Sequence, residues 1–178
     1  IKELLSNGVG GFLDMYFFAK ETAKIAKKFK IKAMLGEPVI SAVGSVGVEE
    51  RIKETKRLLE KYKNDPFIKI CANPHAIYTV SKNDLIKLKN FAKKNNLFFH
   101  LHLSETEKEV KECQKIYKKR PVEFLDEIGI LDEKTILAHV IWVTEKEVKI
   151  LKKRKVKVVS CPQSNLKLAS GIFNFPLF

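Results

Sequence analysis

Short apolar runs that alternate with helical patterns constrain the fold of this chain more than any other feature. The runs start near residues 9, 31, 67, 97, 135 and 156, and apolar residues at helical spacing fill every gap between them. Consecutive strands separated by a helix lie parallel, because only a long crossover returns the chain to the same end of the sheet. The expected strands are 9–14, 31–36, 68–72, 98–103, 135–138 and 156–159. The expected helices cover about 16–30, with Ala23, Ile25, Ala26 and Phe29 inward, then 49–63, a helix opened by Ser81, one running to about 119, and a short one over 124–128 after a break at Pro121. Thr144-x-x-Glu147 reads as a capping box for a last helix carrying Val148, Ile150 and Leu151 inward. Leu4 and Leu5 end a first helix stopped by Asn7-Gly8, and residues 37–48 read as a loop.

Such a pattern fits a closed barrel or a doubly wound open sheet. His75, His102, Glu105, His139 and Asn165 fall at or just after the C-terminal ends of four different strands. That is the expected mouth of a (β/α)8 barrel, whereas an open sheet gathers its site at one switch point. The fold class expected is therefore α/β, a partial TIM-type barrel. Six units cannot close eight strands, so residues 1–178 are expected to be a single incomplete barrel domain, strands 2 to 7, with the first and last strands missing.

Composition narrows the function. With 34 basic and 21 acidic residues the net charge of +13 raises nucleic acid as a partner. Only Arg51, Arg57, Arg120 and Arg154 offer the guanidinium fork, and the lysines are interleaved with glutamates on helix faces, the pattern of a solvated surface. No nucleic-acid partner is expected. No apolar run of about 18 residues is present to span a bilayer, and no signal-peptide pattern appears, so no membrane partner and a cytoplasmic location are expected. Cys71, Cys113 and Cys161 lack Cys-x-x-Cys spacing and read as reduced thiols.

The chemistry lies in the run Phe98-Phe99-His100-Leu101-His102-Leu103-Ser104-Glu105. Side chains alternate along a strand, so His100 and His102 share one face and Leu101 and Leu103 the other. Imidazole suits zinc or iron, and a carboxylate beside a metal ligand can move a proton. His102 and Glu105 fit those two parts, with His139 arriving from a neighbouring strand end. His100 lies deeper and reads as a packing residue or a partner behind the ligand. Asp14 is either a site residue or the cap of the following helix. Neither a Gly-x-Ser-x-Gly elbow nor a glycine-rich phosphate loop occurs.

Asp14-Met15-Tyr16-Phe17, Pro-His-Ala-x-Tyr-Thr at 74–79, His-Leu-His-Leu-Ser-Glu-Thr at 100–106, Ala-His at 138–139 and Cys-Pro-Gln-Ser-Asn-Leu-Lys-Leu-Ala-Ser-Gly at 161–171 together resemble the amidohydrolase superfamily, within it the 5-methylthioadenosine/S-adenosylhomocysteine deaminase group. The resemblance implies a (β/α)8 barrel with one divalent metal ion, zinc or iron, and hydrolytic deamination of a small adenosine-type nucleoside. It makes His102 the metal ligand on strand 5, Glu105 the proton shuttle to the purine ring, His139 the strand 6 histidine that orients the attacking hydroxide, and His75 a substrate-binding residue. The strand 1 His-x-His and strand 8 aspartate of the group are absent, which implies an inactive fragment. Ser160 stands where relatives often carry histidine, Asn73 replaces a common glycine, and the end after Ile172 departs from the group's Ala-Pro. Alternatives from the same residues are another superfamily hydrolase, such as a chlorohydrolase or guanine deaminase, or a non-catalytic remnant, self-associated as a homo-oligomer or completed by another chain.

Overall fold

The apolar runs become parallel strands laid side by side in the order in which the chain makes them. The computed structural model describes residues 1–41 and 47–178. After α1 (Lys2–Ser6) come β1 (Gly11–Met15), α2 (Ala19–Lys28), β2 (Lys32–Gly36), β3 (Pro38–Val39), α3 (Val48–Tyr62), β4 (Ile68–Pro74), α4 (Lys82–Lys94) and β5 (Phe98–Leu103). Then follow α5 (Glu107–Tyr117), α6 (Pro121–Glu127), β6 (Thr135–His139), α7 (Glu145–Lys153), β7 (Lys157–Val159), α8 (Pro162–Lys167) and a 3₁₀ turn at Phe175–Leu177. The sheet order is β1-β2-β4-β5-β6-β7, with β3 paired to β4 beyond the end of β2, and every pairing is parallel. Strands added always in one direction by right-handed crossovers put all their helices on one face. Among the described residues the sheet has no reversal point of the open-sheet kind, and it is the curled arc of a barrel, as the strand-end side chains implied.

The core lies between that arc and its helices. Phe99, Leu101 and Leu103 of β5 are fully buried with Leu85 and Leu88 of α4, Val122, Phe124 and Leu125 of α6, and Leu137 of β6. A second cluster joins Ala19, Ala23 and Ala26 of α2 to Ala33 and Leu35 of β2 and Leu58 and Tyr62 of α3. Each large apolar side chain so buried contributes roughly 1.5–3 kcal/mol. By alternation His100 and His102 face the opposite side, the interior of the barrel.

Several boundaries differ from expectation for local reasons. Helix α2 starts at Ala19 because Phe18 takes a left-handed φ of 66°. Ile25 is 45% exposed, so the inner stripe of α2 is made of its small residues. Pro121 opens α6 instead of breaking it, since the first helical position needs no amide hydrogen. Residues 37–48 are not all loop: Pro38 and Val39 pair with Asn73 and Pro74, while 42–46 lie outside the described residues. The expected Thr144 capping box forms, with Glu147 N–H donating to Thr144 Oγ1 (3.3 Å) and Thr144 N–H to Glu147 Oε2 (3.0 Å). Among the described residues no helix is long and apolar enough to cross a membrane.

Asn73 straps three strands together at the site end of the arc. Its Nδ2 donates to the carbonyls of Asp14 (3.0 Å) and Gly36 (2.8 Å), and its Oδ1 lies 3.0 Å from Cys71 Sγ. Gly36 is required by this approach, because a Cβ there would lie 2.3 Å from the carbonyl oxygen of Cys71. Gly36→Ala is therefore expected to cost about 1–3 kcal/mol, as overpacked sites do. Urea unfolding measures it, and an unchanged midpoint and slope would show that the three strands are not so tightly drawn together.

Candidate active site

Backbone pairing at the strand ends sets the site before any side chain acts. His75 follows β4, and its N–H donates to the Val39 carbonyl of β3 (3.0 Å). Its own carbonyl accepts from the backbone N–H of His102 (3.0 Å) and from His102 Nδ1 (3.0 Å). A carbonyl only accepts, so the ring proton of His102 sits on Nδ1 and Nε2 keeps its lone pair. Burial holds this imidazole neutral by pushing its pKa down to about 4. A neutral ring with a bare Nε2 and a second-nitrogen anchor is the form in which histidine binds a metal.

The rings of His75, His100 and His139 lie 5.1, 5.8 and 5.4 Å from that of His102, so all four histidines of the chain gather around it. His75 Nδ1 is 2.9 Å from Thr79 Oγ1. His100 sits beneath, 5% exposed, its Nδ1 without a partner among the described residues, and burial lowers its pKa to about 3. Glu105 and His139 meet at the mouth, with Glu105 Oε2 3.7 Å from His139 Nε2. Two sharp turns bring them there. Ser104 and His139 take left-handed φ values of 51° and 73°, unusual for residues with a Cβ. The Ser104 carbonyl then accepts from both Ile141 and Trp142 N–H (3.0 Å each).

Sequence reasoning missed the group that holds the first turn. Glu109, only 3% exposed, accepts the Ser104 N–H (2.8 Å) on one carboxylate oxygen and the Glu105 N–H (2.9 Å) on the other. Burial raises its pKa to about 7 against the opposing pull of those amides. The Thr106-x-x-Glu109 spacing was the available signal, since it predicts a glutamate reaching back from the first turn of α5. Glu109 N–H donates to Thr106 Oγ1 (3.2 Å), while the glutamate itself reaches further back than a capping box does. Asp14 does not cap α2. That task falls to Glu37, whose Oε1 accepts the Ala19 N–H (2.8 Å), and burial raises the pKa of the Asp14 carboxyl.

His75, His102, Glu105 and His139 thus come together, and Asn165 joins them through His139, its Oδ1 2.7 Å from Nδ1. Among the described residues no group of three or more His, Cys, Asp or Glu could hold a metal ion. Of the four site residues, His102 is the one shown with its second nitrogen bound to a carbonyl and the other bare. The arrangement can offer one metal ligand, a carboxylate beside it for proton transfer, and a neighbouring imidazole.

Residues 1–177 match the amidohydrolase family. A 5-methylthioadenosine/S-adenosylhomocysteine deaminase of Thermodesulfovibrio yellowstonii is 43% identical over 172 residues, which are 96% of this chain and 39% of that protein. A 5'-deoxyadenosine deaminase of Methanosphaera stadtmanae is 41% identical over 172 residues, covering 96% of this chain and 40% of that protein. A zinc-bound adenosine deaminase crystal structure from Xanthomonas campestris superposes with a TM-score of 0.91 at 32% identity, over 96% of this chain and 39% of that one. The chain therefore spans about two fifths of the length of these relatives.

Glu109→Ala leaves one buried and one part-buried amide without acceptors and is expected to destabilise the chain by roughly 2 kcal/mol. The raised pKa adds a pH dependence of definite sign. The folded chain keeps this proton up to about 7 while the unfolded chain releases it near 4.5, so folding is linked to proton uptake between those values. This contribution to stability falls as pH rises through that window. Urea midpoints measured across it should decline less in Glu109→Gln than in the parent, and parallel declines would contradict the assignment.

Proposed function

Because the chain belongs to the amidohydrolase family, whose match covers residues 1–177, we propose that it is part of a metal-dependent hydrolytic deaminase of adenosine-type nucleosides. The observation that carries this reading is the His75 carbonyl fixing His102 with a bare Nε2 (Nδ1 to oxygen 3.0 Å), with Glu105 and His139 3.7 Å apart beside it. His102 is the ligand this chain brings, and its neutral ring fits that role. A divalent metal held there, zinc or iron, supplies the Lewis acidity that makes water a nucleophile near neutral pH.

The chain's own residues divide the remaining work. Water adds its oxygen to the ring carbon that bears the amino group, and the C–N bond to that group then breaks. Glu105 takes a proton from the attacking water and delivers it to the adjacent ring nitrogen, so that charge does not build up on the ring. A second proton passes to the departing amine, which leaves as ammonia, and the ring carbon becomes a carbonyl. His139 Nε2 faces Glu105 and holds the water in line for attack. His75, 5.9 Å ring to ring from the half-exposed Tyr78, contacts the nucleoside at the rim.

In the complete polypeptide Glu105→Gln is expected to lower ammonia release by at least about 100-fold, the scale of a lost proton carrier. Metal content should not change, because Glu105 is not a ligand in this reading. Ammonia assay with metal analysis tests both halves, and retained turnover would remove Glu105 from the mechanism. The 178-residue chain alone, with one ligand, should lose added zinc on dialysis and release no ammonia. Stoichiometric zinc surviving dialysis would mean that the chain holds a site of its own.

A further inference from the structure

The segment after β7 has no part in the reaction described above, yet it touches both the proton carrier Glu105 and His139, which holds the water. Asn165 of α8 is 1% exposed and sets its Oδ1 2.7 Å from His139 Nδ1. Its carbonyl accepts the Ser170 N–H (2.8 Å), and Ser170 Oγ donates to Glu105 Oε1 (3.3 Å). Trp142 Nε1 in turn donates to the Ser170 carbonyl (2.7 Å). Gly171, at φ 132°, lets the chain pass close to Ile141, since a Cβ there would lie 2.9 Å from Ile141 Cγ2.

We propose that Asn165 is a positioning residue that fixes the proton of His139 on Nδ1, with Ser170, tied to it through one backbone hydrogen bond, steering Glu105. This rests on the reading of His139 and Glu105 given above. An amide oxygen cannot donate, so the short contact requires His139 Nδ1 to do so, and Nε2 is left as an acceptor on the side where Glu105 lies. His139 then receives a proton-bearing water instead of offering it a hydrogen, which is the direction that raises the nucleophilicity of the oxygen. Asn165 Nδ2 is fully buried and has no partner among the described residues, so the contact with His139 is the one side-chain hydrogen bond this amide makes among them.

The test reads tautomers directly. The chain labelled with ¹⁵N-histidine has four ring systems to assign by long-range proton–nitrogen correlation. His139 is expected to show a protonated Nδ1 and a bare Nε2. Asn165→Asp keeps an acceptor in place and should preserve that pattern. Asn165→Leu and the smaller Asn165→Ala remove it and should shift His139 to the Nε2–H form or a mixture, while an unchanged Nδ1–H pattern at His102 reports an intact fold. An Nε2–H form of His139 in the parent chain, or no change in either apolar variant, overturns the proposal. A purely structural role predicts instead that the buried carboxylate of Asn165→Asp is as harmful as leucine.

In the complete polypeptide Asn165→Ala should lower kcat by about 10- to 100-fold, the scale known for partners that orient metal-ligating histidines, with KM nearly unchanged. Asn165→Asp should recover most of the loss. Equal kcat in all three overturns the proposal. A complete polypeptide that deaminates no nucleoside would defeat the functional reading while leaving the tautomer result standing, so the two failures are distinguishable.

Discussion

One carbonyl oxygen governs the site. The His75 carbonyl accepts both the backbone N–H and the ring N–H of His102, at 3.0 Å each. The first bond joins the end of β5 to the residue after β4, so it is part of the sheet. The second fixes the rotamer and the tautomer of the imidazole. Because the two share an oxygen, the sheet cannot shift at this point without turning the ring, and strand pairing sets the orientation of the imidazole. The reach of β3 extends this, since its Val39 carbonyl holds the His75 N–H in the same way (3.0 Å).

Glu105 and His139 are held by a different principle. Glu105 comes after β5 and His139 ends β6, strands whose odd residues pack against the helices, and the chain turns sharply to aim both into the mouth. Left-handed backbone at Ser104 and His139 is the cost of that turn, and buried hydrogen bonds stabilise it. Glu109 takes both amides at one turn, and the Ser104 carbonyl takes the amides of Ile141 and Trp142 at the other. Much of the buried polar chemistry around the site thus holds backbone, leaving the reactive atoms free.

The sequence made the strands, the parallel order and the gathering of His75, His102, Glu105 and His139 legible, because these depend on period and on position at strand ends. It did not make Pro38–Val39 legible as a strand, since two residues carry no period and Pro38 argues against one. Helix α2 began three residues later than its pattern suggested, because Phe18 turns left-handed and Glu37, distant in the chain, accepts the Ala19 N–H. Glu109 lay in a recognisable spacing, but its partners are set by the turn at Ser104, which no local rule predicts. The role of Asn73 shows only in the three strands it straps, because its partners lie far off in the chain.

The central claim is that these strand ends are one part of a deaminase barrel and need only the remaining strands to act. Replacing the matching segment of the Thermodesulfovibrio yellowstonii relative, 43% identical over 172 residues, with the part of this chain that aligns to it tests it most directly. Ammonia release from 5-methylthioadenosine by the chimera, at a rate within about tenfold of its parent, is the predicted result. A folded chimera that binds its metal and releases no ammonia from any adenosine-type nucleoside would contradict the account.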